Sequence, residues 1–270
     1  MYANYHTHTY RCHHAHGEER EYVERAIAFG MKELGFSEHV PYPFPDGYES
    51  GYRMFREDID NYFETLLALR EEYKDKIAIR IGFEAEYYPK YFDALLEYLD
   101  PFPYEYLILG QHFLGNEHGD ERFGDERFDG VYSGRVDEDG TFLHQYVDQV
   151  TAGLRTGKFT YVAHPDLMNL KDGDELYEKE MTRLCTAANE VGVPLEVNMY
   201  GQRDGRQYPC ERFFRIAGKC GCRAIVGCDA HAPEVIDDAA AYGACVDLAQ
   251  RCGLELIDRV TLRCPHLENK

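Results

Sequence analysis

Short apolar runs alternate along the chain with longer amphipathic stretches. The runs cover 2–6, 33–37, 77–84, 106–110, 159–163, 194–198 and 223–227. Their length and their Val, Ile, Phe and Tyr content predict strands. The stretches between them, roughly 18–30, 56–74, 88–99, 142–156, 174–191, 210–220 and 234–252, carry the spacing of amphipathic helices. In the last, Ala239, Ala240, Ala244 and Leu248 lie along one face. The β-α order repeats about seven times, which predicts a parallel sheet with helices outside it. The least regular stretch is 113–141, rich in Gly, Asp, Glu and Arg. It follows a strand and precedes a helix, so it reads as a long βα loop, either an active-site lid or a solvated insertion. No linker interrupts the pattern. The expectation is one domain over residues 1–270, a common length for an α/β barrel of about 250 residues.

Polar residues then fall in one place. The first run ends in His6-Thr7-His8, the second in Phe36-Ser37-Glu38-His39, the third in Gly82-Phe83-Glu84 and the fourth in Gly110-Gln111-His112. The fifth ends in Ala163-His164-Pro165-Asp166 and the seventh in Gly227-Cys228-Asp229-Ala230-His231. Residues i and i+2 of a strand share a side, so His6 and His8 can reach one ion, as can Asp229 and His231. A single histidine at a strand end is usually structural or exposed, but six ends of seven bearing His, Glu or Asp form a pattern. An open sheet gathers only the strand ends near its switch point, whereas a closed barrel gathers all of them. The distribution therefore supports a barrel.

Composition narrows the chemistry. The chain carries 29 Lys and Arg against 49 Asp and Glu, a net charge of −20, so a nucleic-acid-binding stripe could only be local. A small charged substrate screened by metal ions fits better, and no nucleic-acid partner is expected. Hydrophobic residues make up 44%, enough for a sizeable core. The opening residues hold no basic-then-apolar leader and no window approaches about 18 apolar residues, so a cytoplasmic protein without a membrane span is expected. The nine cysteines are scattered. Cys220 and Cys222, with Cys210 and Cys228 nearby in sequence, could form a structural zinc site. The favoured reading is reduced core thiols, because no second paired motif completes a four-cysteine set.

Imidazoles suit Zn, Fe and Mn, and carboxylates can bridge two ions. The donors gathered at the strand ends exceed the four to six positions around one ion, so two or three divalent ions are expected. Clustered ions of this kind serve hydrolysis of phosphate esters. No Ser-His-Asp arrangement, P-loop or dinucleotide fingerprint competes.

At this point the chain resembles the polymerase and histidinol phosphatase (PHP) family, in its monofunctional histidinol-phosphatase branch. The resemblance begins with H-x-H-T-x-x-C-x-H-A at 6–15 and runs through S-E-H at 37–39, G-F-E at 82–84, Q-H-F at 111–113 and H-P-D-L at 164–167. It ends with E-V-N-x-x-G-x-R at 196–203, Tyr208-Pro209 and C-D-A-H at 228–231. It implies a distorted (β/α)7 TIM-like barrel with a trinuclear metal centre. One ion would be held by His6, His8, Glu84 and Asp229, a second by Glu84, His112 and His164, and a third by His14, His39 and His231. His14 takes its place as the histidine six residues after His8, with His16 as the alternative. Glu86 lies on the same face as Glu84.

The activity implied is hydrolysis of a phosphate monoester, foremost L-histidinol phosphate in histidine biosynthesis. The alternatives are another small phosphate ester or nucleotide and, beyond them, a non-catalytic PHP module. Arg203, at the family's arginine position, would offer a planar fork to the phosphate, and Arg206 could assist it. Asp229 or a metal-bound water near His231 is the candidate proton donor to the leaving alkoxide. Arg53 and Asn198 are candidate substrate contacts, and Asp46, Glu49 and Asp166 candidate partners for the substrate ammonium. Cys228 stands where the family usually has Ser, and Asp204-Gly205-Arg206 replaces a Lys/Arg-Pro segment.

Overall fold

The structure, a computed structural model, describes residues 1–118 and 128–264. In chain order its strands are β1 (Ala3–Asn4), β2 (Glu33–His39), β3 (Ala78–Ala85), β4 (Tyr106–Leu109), β5 (Val136–Asp137), β6 (Asn169–Leu170), β7 (Leu195–Asn198), β8 (Arg223–Gly227) and β9 (Glu255–Leu256). Its helices are α1 (Glu19–Phe29), α2 (Ile59–Tyr73), α3 (Phe92–Leu99), α4 (Thr141–Arg155), α5 (Asp174–Val191), α6 (Met199–Asp204), α7 (Glu211–Lys219) and α8 (Ala239–Arg251). No helix is long and apolar enough to cross a membrane among the described residues.

The strands are parallel and curl into a distorted barrel. β1 pairs with β2, β2 with β3 and β3 with β4, with His39 opposite Glu84 at the upper end of the β2–β3 register. The segment 159–163 supplies the next stave. Val162 bridges Leu109 on one side and Leu195 on the other, and Ala163 N–H donates to Leu109 O at 2.9 Å. β7 pairs with β8, and the ring closes where Thr7 bridges Ala230 and His8 N–H donates to Ala230 O at 2.9 Å. The seam is tight only at this end. Lower down, the same edge of β8 is taken by β9, with Arg223 opposite Glu255. There β8 pairs with β9, and no β1–β8 ladder is formed among the described residues.

The apolar pattern explains the two layers. Ala3, Tyr5, Tyr106, Ile108, Tyr161, Ala163 and Ile225 fill the barrel, while Phe36, Ile81, Phe83, Leu109, Val162 and Val197 face the helices. Strands covered on both faces read as near-continuous apolar runs, as these do. The predicted helices all occur, and the seven predicted strands occupy the barrel. α6, the β5–β6 pair and β9 are additions too short for periodicity to register. Of the 113–141 stretch, 119–127 lies outside the described residues. Its flanks are packed, with Leu114 and Phe128 buried, so they are not merely solvated.

Inside the barrel the Tyr106 hydroxyl lies 2.9 Å from both Tyr5 O and Phe36 O. It ties three strands below the polar end. Tyr106→Phe is expected to lose roughly 1–3 kcal/mol, because a buried polar contact is removed without relief of its partners. Urea denaturation checks this.

Candidate metal centre

The carboxyl ends of the strands bring the predicted donors together. His6 Nε2 lies 3.4 Å from both Glu84 Oε2 and Asp229 Oδ1, and His8 Nε2 lies 3.3 and 3.4 Å from the same two oxygens. His39 Nδ1 is 3.0 Å from Glu84 Oε2. His164 Nε2 and His112 Nε2 lie 2.9 and 3.5 Å from Glu84 Oε1. His14, His39 and His231 form a further group whose donor atoms all lie within 4.8 Å of one another. Glu84 is thus the hub, reached by five imidazoles.

These spacings fit a metal. Two donors each roughly 2.1 Å from a tetrahedral zinc stand about 3.4 Å apart. Ordinary hydrogen bonds from nitrogen to oxygen sit nearer 2.9 Å. His6 Nε2, His8 Nε2 and Glu84 Oε2 are buried and have no hydrogen-bond partner. A buried unsatisfied polar atom is costly, and a cation among them satisfies all three at once.

The electrostatics agree. Burial alone would push the Glu84 carboxyl up, but His112, His6 and His39 overcome it and hold it well below the usual carboxylate range. Asp229 is likewise held low against burial by His6, His8 and His231. Burial and the neighbouring His8 push His39 well down and His231 to about 3, and they lower His14 too. Those three rings give up a proton more readily than a free imidazole, which leaves lone pairs for a cation. Burial works against charge on His6 and His8, yet the facing carboxylates raise His6 well above its ordinary value and His8 to about 9. These rings carry protons that a divalent cation would displace.

Backbone geometry serves the same end. Asp229 and His164 have positive φ, 47° and 29°. A non-glycine residue there is strained, and such strain persists where surrounding structure imposes it, often at working sites. Gly110 and Gly227 make room for carboxylates. A Cβ on Gly110 would collide with the Glu84 carboxylate, and one on Gly227 with that of Glu196.

Behind the rings stand acids to which the sequence pattern gave no supporting role. Glu196 Oε1 is 2.8 Å from His6 Nδ1, Glu86 Oε1 is 2.8 Å from His112 Nδ1 and Glu38 Oε2 is 3.9 Å from His8 Nδ1. Carboxylates of this kind set the tautomer and aim of metal-binding histidines. Two had a legible signal, since Glu86 repeats Glu84 at i+2 and Glu196 stands at i−2 from Asn198.

An open cavity of about 490 Å³ lies over the cluster, walled by Tyr52, Tyr132, Tyr200 and Tyr208, with Arg206, Asp229 and several of the histidines. Of the expected residues, His14 is in the cluster, while His16 is 68% exposed and faces Glu234. His13 turns away to stack on Phe55. Arg203 is not among the described cavity-lining residues; its guanidinium bonds Asp204 at 2.9 Å on α6. Arg206, three residues on, reaches the wall instead and donates to the Tyr200 hydroxyl at 2.7 Å. Arg53 and Asn198 are buried behind the cavity rather than in it. Asn198 caps α6 through Gly201 N and donates to Asp229 Oδ2 at 3.1 Å, which makes it a support for that carboxylate. Asp46 pairs with His118, Glu49 with Arg56, and Asp166 accepts from Cys210 N, so none of these acids is among the described lining residues. All nine cysteines are free. Cys220 and Cys222 meet Cys185 rather than Cys210 or Cys228, and they form no metal-sized group among the described residues.

The PHP domain family profile matches residues 4–200. The chain belongs to the PHP family. It is 30% identical over 233 residues to a probable histidinol-phosphatase of Deinococcus radiodurans, spanning 84% of this chain and 85% of that one. In fold this PHP protein is similar to histidinol phosphate phosphatase of Lactococcus lactis, a structure complexed with zinc, L-histidinol and phosphate. The TM-score is 0.70 at 18% identity, covering 96% of this chain and 98% of the other. A second fold relative is the putative histidinol phosphatase of Listeria monocytogenes, with a TM-score of 0.68 at 19% identity, covering 89% and 99%.

Gly110→Ala tests the close approach to Glu84. It is expected to fold, by circular dichroism, yet to bind zinc at least about ten-fold more weakly in chelator competition, as displaced metal supports do. Wild-type affinity would refute the crowding of Glu84 by that Cβ.

Proposed function

We propose that this PHP protein is a metal-dependent phosphate-monoester hydrolase whose substrate is L-histidinol phosphate. The observation that carries the reading is the set His6 Nε2, His8 Nε2, Glu84 Oε2 and Asp229 Oδ1, with nitrogen–oxygen spacings of 3.3–3.4 Å and the first three buried without hydrogen-bond partners, beneath a cavity with a guanidinium on its wall. The curated Deinococcus relative bears the name of that activity, and the Lactococcus protein of the same fold is complexed with zinc, L-histidinol and phosphate.

In this reading, residues 1–270 act as one barrel unit holding three divalent ions of Zn, Fe or Mn type. His6, His8, Glu84 and Asp229 take one ion, Glu84, His112 and His164 a second, and His14, His39 and His231 a third, with Glu84 shared. When bound, such ions supply Lewis-acid neutralisation of phosphoryl oxygens and make water more acidic.

The chain's own groups do the rest. Arg206, held by the Tyr200 hydroxyl, presents its guanidinium to the non-bridging oxygens; its place on the cavity wall supports this reading over one with Arg203. Asp229 is the one carboxylate among the described lining residues. It takes a proton from the incoming water and returns it to the alkoxide oxygen as the phosphorus–oxygen bond to the alcohol breaks. Asn198 keeps Asp229 turned to this task. The tyrosines exclude bulk water and offer flat faces to a planar group such as an imidazole. Since they would stack a nucleobase equally well, a PHP phosphoesterase acting on nucleotides is the second reading.

Phosphate release across L-histidinol phosphate, nucleotides and sugar phosphates tests the substrate. Selective turnover of the first is expected, and comparable rates on all would transfer the assignment to the second reading. Glu84→Gln should abolish turnover together with bound metal, as metal analysis of the same sample will show. Arg206→Ala should lower kcat/KM roughly 10–100-fold, the value of a charge-assisted pair of roughly 1.5–3 kcal/mol. Arg203→Ala should stay within about two-fold, because a partly exposed charge pair contributes little. Equal losses would return the phosphate-binding role to Arg203.

A further inference from the structure

Arg53 is among the largest fully buried side chains of the protein. Its Nη2 pairs with Glu86 Oε2 at 2.8 Å and donates to the Tyr88 hydroxyl at 3.2 Å. Its Nε pairs with Glu117 Oε1 at 2.6 Å, and its Nη1 donates to Val40 O at 3.3 Å. The guanidinium lies 5.4 Å from the centre of the Tyr42 ring. Desolvating a guanidinium is expensive, and two carboxylates are needed to offset it. No part of this group touches the cavity, so something other than substrate contact accounts for it.

The connection runs through Glu86. One of its oxygens meets Arg53 and the other lies 2.8 Å from His112 Nδ1. A carboxylate at Nδ1 places the ring proton there, leaving the Nε2 lone pair facing Glu84 Oε1 at 3.5 Å. Left to itself, Glu86 could rotate about its side-chain bonds and release the ring. Arg53 holds it by charge, as a fully buried ion pair at 2.8 Å, while the guanidinium is itself fixed by hydrogen bonds to Glu117, Val40 O and the Tyr88 hydroxyl. The same guanidinium holds Glu117. Three loops are joined in this way: that after β2 carrying Arg53, that after β3 carrying Glu86 and Tyr88, and that after β4 carrying His112 and Glu117.

We propose that Arg53, acting through Glu86, is a positioning residue that fixes the tautomer and aim of His112 toward the metal centre, and through Glu117 anchors the 113–118 segment to it. This rests on the metal-centre reading above. It predicts that one ion, the one nearest His112, is held less tightly when the clamp is broken.

The test is chelator competition for zinc on stripped and reloaded full-length protein, with Arg53→Met, Arg53→Lys, Glu86→Gln and Arg80→Met beside the wild type. Arg80 pairs with Glu33 and Glu105 at the opposite end of the barrel, so its variant breaks a comparable ion network away from the site. Arg53→Met and Glu86→Gln are expected to hold the weakest ion roughly 10–100-fold less tightly, with Arg53→Lys recovering part of the loss and Arg80→Met none of it. If Arg53→Met is too unstable to purify, Glu86→Gln and Arg53→Lys carry the same comparison. Wild-type affinity in the Arg53 and Glu86 variants, even with lowered melting temperature, overturns the positioning role and leaves the metal centre standing. A wild type that takes up no zinc overturns both.

Discussion

Glu84 is the constraint around which the rest of the structure is arranged. A carboxylate at the end of a central strand is surrounded by five imidazoles and buried from water. Burial opposes its charge and the rings restore it, but the hydrogen-bond geometry leaves Oε2 and the facing nitrogens without partners. Such a cluster is held open against its own preference to collapse into hydrogen bonds. A cation is the species that satisfies donors of that number, type and spacing.

The barrel is what holds the cluster open. The staves are parallel, so their carboxyl ends all finish at one rim, and the seam between β1 and β8 is tight at that rim where His6, His8 and Asp229 emerge. β9 pairs with β8 at the opposite end, away from the site residues. Gly110 and Gly227 admit neighbouring carboxylates into space that a side chain would occupy, and the positive φ at His164 and Asp229 turns those side chains inward. Strain and missing side chains thus concentrate at the rim, while the lower barrel and the helix layer pack with ordinary apolar residues that support it.

A second tier of buried charge carries the order outward. Glu196, Glu86 and Glu38 stand behind His6, His112 and His8, and Asn198 stands behind Asp229. Arg53, in turn, stands behind Glu86. The sequence offers these residues as polar positions in or beside apolar strands, and Arg53 and Asn198 as candidate substrate contacts. Their meaning depends on partners from other strands, so spacing along one segment could not disclose it. Arg53 reads as a substrate contact in the sequence, whereas in the structure it is buried against Glu86 and Glu117 and is not among the described cavity-lining residues. Arg203 occupies the family's position but turns to Asp204, because the short helix α6 carries it to the side and Gly205 ends that helix so that Arg206 swings to the cavity.

What the sequence determined by itself was local in character. The alternation of apolar runs and amphipathic stretches, the donors at six strand ends, with i and i+2 pairs at the first and last of them, and the donor chemistry of imidazole and carboxylate were enough to indicate a parallel barrel with a metal-binding rim. These follow from backbone periodicity and ligand type, which are properties of neighbouring residues in the chain. The tertiary structure alone decided which oxygen faces which nitrogen, which arginine reaches the cavity and which acids stand behind the rings. Those outcomes are set by loop paths and by contacts between staves distant in sequence, where a turn of a few residues redirects a side chain by several ångströms.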